Sequence, residues 1–410
     1  MNYTKINKAI LVYLIFLLFF AIFYLLSKHN VDNDSSVSEW LINYSGGFTR
    51  RGLGGEISIY ISNLLNITLR EAIFALQSIL HIAYFLLIYK YIKNLKLNML
   101  QIFAFFAPIF LLYPVAEIEV LGRKEIVLFV FFISFLFFIN LKNNKIAELF
   151  IFFILPFICL IWEEVVLFCP YIAIIFIIKR NLKSFWESFK YLVVIFLPSV
   201  LIFIFIFFSP LSLEGHSEMC KFLEIQFGEK CYMSASMLVT STIHFDTLWI
   251  HSNAHLEHYV RYIWIFVVGF MPLNILVFNS SFIYKKNFIT KNLKLRNLFF
   301  LLYFPSLLLF MYGYDWGRWI NITYTFSILL YLFLLKNNLI TNEFKYFFKK
   351  HKEFLGNRIL VSLLFFIFAF GWNPKTVITG DIGSFPWYRI PYKAIKVFDY
   401  KFKPYFFNQD

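Results

Sequence analysis

Apolar runs of about 17–22 residues recur along the whole chain between short polar tracts, and each is long enough to cross about 30 Å of hydrocarbon as a helix. The pattern predicts eleven spans, near 9–26, 70–89, 98–115, 125–141, 146–161, 165–178, 191–208, 259–278, 297–313, 319–335 and 359–371. The fold class expected is all-α, a polytopic membrane bundle forming one domain over residues 1–410. An outward loop at 209–258 and an outward tail at 372–410 are its appendages. The first run follows Lys5 and Lys8 and reads as an uncleaved anchor, because it is too long for a signal peptide and lacks a small-x-small site after it. Spans five and six nearly touch through "LIWEEVVLF", which predicts either a helical hairpin or one broken helix. The stretch from Phe48 to Ile67 is partly apolar and reads as an interfacial or re-entrant helix rather than a loop.

Composition agrees with the pattern: 60% of positions are hydrophobic, 15% are charged, and mean hydropathy is +0.69. Much of the phenylalanine, 57 residues, reads as lipid-facing filler of the kind AT-rich coding produces. A net charge of +14 would point a soluble chain toward nucleic acid. Here the lysines lie in short tracts between spans, where they set orientation instead, so nucleic acid is not an expected partner. Placing the N-terminus in the cytoplasm puts 22 of the 38 Lys and Arg residues on that side, as the positive-inside rule requires.

Cys159 and Cys169 lie within apolar runs and read as packing residues. Cys220 and Cys231 share the long outward loop, where an oxidising compartment would permit a disulfide; spacing alone leaves paired and free states open. No metal site is expected, since His216, His244, His251, His255 and His258 lack compact Cys/His spacing. His251, His255 and His258 read as one polar face of an amphipathic helix.

The connections on the two sides differ in kind. Those assigned to the cytoplasm are Lys-rich and free of Gly-rich motifs. The outward ones carry "SGGFTRRGLGGE" (Ser45–Glu56), "EIEVLGRKE" (Glu117–Glu125), "WEE" (Trp162–Glu164) and "YDWGRW" (Tyr314–Trp319). Guanidinium groups bind phosphate as a bidentate fork, and glycines beside Arg50 and Arg51 would let the backbone approach an anion. Glu119 with Arg123, and Asp315 with Arg318, are spaced to pair on one helix face. Glu163 and Glu164 have no basic neighbour in sequence and lie between two apolar runs, so at least one should face a polar site, a candidate general base. Trp40, Tyr44, Trp316 and Trp319 are candidates to stack on sugar rings, against the default of an interfacial aromatic belt. A ligand that is anionic, lipid-anchored and approached from outside fits these features, and a polyprenyl diphosphate carrying a glycan is such a ligand.

"NYSGGFTRRGLGGE", "GRKE", the Glu of "WEEVVLFCP" and "DWGRW", in that order, resemble one group of bacterial O-antigen polymerases, the Wzy-type oligosaccharide repeat-unit polymerases. Where the family pattern has His before the Glu, this chain has Trp162. The resemblance implies a multi-pass protein of the bacterial inner membrane, similar in type to C-type (GT-C-like) membrane glycosyltransferases. It would join undecaprenyl-diphosphate-linked repeat units on the periplasmic face, with no cofactor and with a chain-length regulator as a partner. Carried over, Glu163 and Asp315 become candidates for the base, and Arg50, Arg51, Arg123 and Arg318 become diphosphate or glycan ligands. Two alternatives stay open. A C-type glycosyltransferase using a polyprenyl-phosphate sugar would place its carboxylate in the first outward loop, where Asp34 lies. A lipid-linked glycan flippase would need ionisable residues along a membrane-depth cavity.

Overall fold

The computed structural model describes residues 3–29, 35–231, 235, 238–239, 254–342, 357–380 and 382–397. Among the described residues, five helices are long and apolar enough to cross a membrane: Lys5–Lys28, Leu69–Ile92, Phe185–Phe208, Leu256–Phe278 and Trp316–Lys336. Shorter apolar helices run over Glu125–Phe138, Leu295–Met311 and Arg358–Phe370. The long helices carry a broad exposed apolar face, with Phe19, Phe205 and Trp264 more than half exposed. Patches of that extent on a folded surface belong against lipid, and the protein is an all-α membrane protein.

The Trp316–Lys336 helix is the axis of the bundle and is buried on every side. Phe326 stacks on Phe132 of Glu125–Phe138 at 4.3 Å, and Tyr324 meets Phe270 of Leu256–Phe278 at 5.0 Å. Ser327 shares a 2.8 Å hydrogen bond with Tyr171 of the Cys169–Arg180 helix. Its polar residues also explain one departure from the sequence reading. The stretch expected as a single span near 98–115 is broken into Met99–Phe105 and Leu112–Ala116. Pro108 has no N–H to return to the Ala104 carbonyl, which accepts from the Tyr324 hydroxyl at 2.6 Å, and the Asn321 side chain donates to the carbonyls of Ile109 and Phe110 in the break at 2.8 and 2.9 Å. Non-helical backbone at this depth is tolerable because protein, not lipid, satisfies it.

Spans five and six form a hairpin, not one broken helix. The Lys145–Ile161 helix ends at Trp162, whose extended backbone leads into a 3-10 turn over Glu163–Phe168 and then Cys169–Arg180. Arg180 Nε donates to Glu148 at 2.6 Å, closing the hairpin at its far end. The stretch that read as interfacial or re-entrant contains a helix over Leu53–Leu65, which buries Gly54, Gly55, Ser58, Ile59 and Ser62 and exposes Tyr60, Leu64 and Leu65. At 13 residues it spans roughly 20 Å, too short to cross.

Contacts sort the loops to two ends. At one, Arg70 grips Glu229 at 2.5 Å through Nε, and the Tyr262 hydroxyl donates to the carbonyls of Lys375 and Val377. At the other, Asn7 donates to the Lys93 carbonyl, Lys179 to Asn337 at 2.5 Å, and β1 (Ser280–Phe282) pairs antiparallel with β2 (Ile340–Asn342). The long loop starts with a helix over Leu213–Phe227, tied to the segment after it by a Cys220–Cys231 disulfide with Cα atoms 5.2 Å apart. Pro386–Val397 is helical within the tail, where the Tyr24 hydroxyl donates to the Ile390 carbonyl.

Candidate functional site

Four short stretches far apart in sequence meet at the end of the bundle that carries Arg70, Tyr262 and Lys375. Asn43 to Gly52 forms a tight turn, and Arg51 within it has φ +64°, a left-handed conformation that costs a non-glycine residue energy. The turn is held from below. Lys124, fully buried, donates from Nζ to the Arg51 carbonyl at 2.6 Å. Gly54 makes room for it: a Cβ there would sit 3.1 Å from Lys124 Cε. Gly55 allows a second close approach, since its Cβ would lie 2.0 Å from the Ile42 carbonyl oxygen. Gly54 and Gly55 are thus packing surfaces beneath the turn.

From that turn the Arg51 side chain reaches the hairpin tip. Its Nε lies 3.0 Å from both Glu163 oxygens and its Nη2 bonds Glu164. Arg50 approaches the same Glu163 at 3.7 Å. A second knot lies beside the first. Arg318 pairs with Glu125, through Nε at 2.8 Å, and with Asp315, while Arg123 pairs with Glu39. Glu39 Oε1 lies 4.0 Å from Arg318, and Lys124 stands between the two knots. Five cations and five carboxylates thus form one contiguous, mostly buried network: Arg50, Arg51, Arg123, Lys124 and Arg318 with Glu39, Glu125, Glu163, Glu164 and Asp315.

All six residues singled out in the sequence, Glu163, Asp315, Arg50, Arg51, Arg123 and Arg318, lie in this network. One expected pairing differs. Arg123 reaches the Glu119 backbone carbonyl at 3.2 Å, but its guanidinium charge is met by Glu39 rather than by the Glu119 side chain. The i,i+4 spacing loses because the short helix Ile118–Leu121 ends at Gly122, so the two side chains do not share a continuous helix face. Asp315 and Arg318 do pair at i,i+3. Sequence reasoning missed Glu39, Lys124 and Glu125. The charged triplet Arg123–Glu125 at a span mouth was the available signal for two of them, and Glu39 had none beyond its place in the connection that also holds Arg50 and Arg51.

The environment separates the carboxylates. Burial raises the Glu163 carboxyl, but Arg51, by charge and hydrogen bond, and then Arg50 outweigh it and hold it below the ordinary range. Glu164 is pushed up to about 7: burial dominates, Arg51 opposes it, and Glu163 adds to the rise. Its Oε2 is buried with no hydrogen-bond partner among the described residues. Burial also raises Glu39, yet Arg123, Arg318, Arg51 and Lys124 together bring it to about 2. Lys124 is lowered to about 7 by burial, against the pull of Glu39. Glu164 and Lys124 are therefore the two groups of the cluster brought toward neutrality, and Glu164 is the carboxylate among them.

Two of the four aromatic candidates are packing residues. Trp40 is buried and donates from Nε1 to the Gly122 carbonyl at 2.6 Å. Trp319 is buried with the Arg318 guanidinium 5.2 Å over its ring and with Trp162 at 6.2 Å. Tyr44, stacked on Phe48, and Trp316, whose Nε1 donates to the Phe310 carbonyl, keep partial exposure. His216, Cys220 and Cys231 each offer a ligand atom within 4.8 Å, but the disulfide removes both thiolates from metal chemistry. His255 and His258 interact at the start of Leu256–Phe278, where the His255 N–H donates to His258 Nδ1 at 3.0 Å. His244, His251 and Asp34 lie outside the described residues.

Fold and site together define a polytopic helical membrane protein with a charge-balanced polar centre at one end of its bundle. Set against protein-family models, curated proteins and solved structures, the chain matches none of them.

Proposed function

We propose that this protein is a membrane glycosyltransferase that polymerises lipid-linked oligosaccharide repeat units, carried on undecaprenyl diphosphate, at the periplasmic face of a bacterial inner membrane. The reading includes eleven spans, a C-type-like architecture and a cytoplasmic N-terminus. One observation carries it: four outward stretches, separated by up to about 270 residues, bring their Arg and carboxylate groups into a single cluster.

In the reaction, a sugar hydroxyl of one repeat unit attacks the anomeric carbon of another, and the bond from that carbon to the diphosphate oxygen breaks. The hydroxyl proton passes to Glu164, whose carboxylate is a competent base near neutrality. The electron pair leaves on the polyprenyl diphosphate, and Arg50 and Arg51 meet its growing charge, an interaction strongest in the transition state. Glu163 occupies that guanidinium fork until the anion arrives. It holds the arginines in place at the cost of competing for them, and this revises its expected role from base to placeholder.

A strain lacking the protein is expected to make lipid-linked core bearing one repeat unit while long chains vanish, read on a gel of surface polysaccharide. Loss of single repeats as well would point upstream, to assembly or flipping, and would sink the proposal. The C-type alternative with a monophosphate donor draws support from Glu39, a carboxylate in the first outward connection that enters the cluster. Glu39→Gln abolishing chain growth while Glu164→Gln leaves it intact would favour that alternative.

A further inference from the structure

A second polar feature sits at the opposite end of the bundle and has no part in the chemistry above. It is a cavity of about 470 Å³ between the last turn of Leu256–Phe278, the loop after it and the first turn of the Leu295–Tyr312 helix. That helix is 18 residues long, so the cavity lies roughly 27 Å from the end where Tyr312 leads toward Arg318. Lys285, Lys291, Lys294 and Arg296 line it, and none of its described lining residues is acidic. All four cations are exposed at its rim, whereas the four arginines of the charge cluster each meet a carboxylate.

Two further observations narrow the ligand. The cavity floor meets the N-terminus of Leu295–Tyr312, where Lys294 is the cap residue and supplies no side-chain hydrogen bond, so the positive end of the helix adds to the four cations instead of being neutralised. Part of its wall is apolar, where Val277, Phe278 and Phe282 stand among Asn, Ser and Thr side chains, and Phe278 is 53% exposed. A cationic rim beside an apolar wall at a membrane boundary matches a phosphate group joined to hydrocarbon.

We propose that this cavity binds a phosphate-bearing anion, the headgroup of an anionic phospholipid of the adjoining leaflet, with phosphate oxygens at Lys285, Lys291, Lys294 and Arg296. Phosphate is the shared chemistry, and a soluble phosphate compound is the other source the test separates. The site anchors the Leu256–Phe278 and Leu295–Tyr312 helices to one another at the end opposite the charge cluster.

The test uses the purified full chain in neutral detergent, with retained lipid counted by native mass spectrometry after exchange against phosphatidylglycerol, phosphatidylcholine or sodium pyrophosphate. Wild type is expected to retain phosphatidylglycerol selectively. A variant with Lys285, Lys291, Lys294 and Arg296 all changed to Gln should lose at least about tenfold in that retention, since each such charge contributes to lipid attraction. A control removing the same charge from exposed lysines of other tracts, Lys93, Lys96, Lys142 and Lys145 to Gln, should retain it. Pyrophosphate binding that follows the same variant dependence, without lipid retention, assigns the site to a soluble phosphate. Equal retention by cavity and control variants, or by phosphatidylcholine, overturns the proposal. Should the quadruple variant not fold, the pair Lys294→Gln and Arg296→Gln gives the same reading.

Discussion

Arg318→Met separates a structural bolt from a working part. The guanidinium touches Glu125 through Nε at 2.8 Å and also pairs with Asp315, and the Arg318 and Glu125 side chains are 4% and 3% exposed. Removing the cation strands the Glu125 carboxylate, whose Oε2 already lacks a partner among the described residues. Breaking one partner of such a buried pair costs about 3–5 kcal/mol. Asp315, at 22% exposure, can rehydrate and should add little. Replacing both partners, Arg318→Met with Glu125→Leu, removes the stranded charge, and the double variant is expected within about 1–2 kcal/mol of wild type. Reversible unfolding in mixed micelles, followed by tryptophan fluorescence, measures all four corners of the cycle. A double variant that loses the sum of the two single losses would refute the pairing argument. A folded double variant is further expected to make no long polysaccharide chains. If it makes them at wild-type length, Arg318 is a bolt alone and leaves the proposed site.

Stability should have a shallow minimum near pH 7. Glu164, raised to about 7 from 4.5, binds more proton folded than unfolded, so its contribution is lost as pH climbs through that window. Lys124, lowered to about 7 from 10.5, binds less folded, so stability recovers as pH rises from there toward 10.5. Glu164→Gln should flatten the acid limb and Lys124→Met the alkaline one, read from unfolding midpoints against pH; an unchanged profile in both variants refutes the assignment. Arg50→Lys, which keeps charge but loses the planar fork, should shorten chains on the gel, and wild-type chain lengths would leave Arg50 as an anchor only. Gly55→Ala should cost several kcal/mol, about as much as severe overpacking, because its Cβ would lie 2.0 Å from the Ile42 carbonyl oxygen; an unshifted unfolding midpoint would contradict that contact. Cys220→Ser, Cys231→Ser and the double variant should destabilise the long loop equally, by up to about 3 kcal/mol, measured by local proteolysis. Unequal effects would mean the two sulfurs act separately.

The sequence by itself determined that this is a helical membrane protein, because burying backbone polar groups in hydrocarbon leaves the chain few options and long apolar runs announce the choice. It also pointed to the Arg- and Glu-bearing stretches, since charge at the mouth of a span is expensive and stands out against apolar surroundings. Tertiary structure alone decided which charges meet. Arg123 turns from its near neighbour Glu119 to Glu39, Arg51 finds Glu163 and Glu164 more than a hundred residues away, and Tyr324 reaches across to the carbonyl that Pro108 has no N–H to meet. Local spacing sees only neighbours along one helix, while a buried charge is stabilised by whatever opposite charge the fold brings near it. The same limit concealed Lys124, which reads as one more positive residue at a span boundary and is, in the folded chain, the buried post beneath the Arg51 turn.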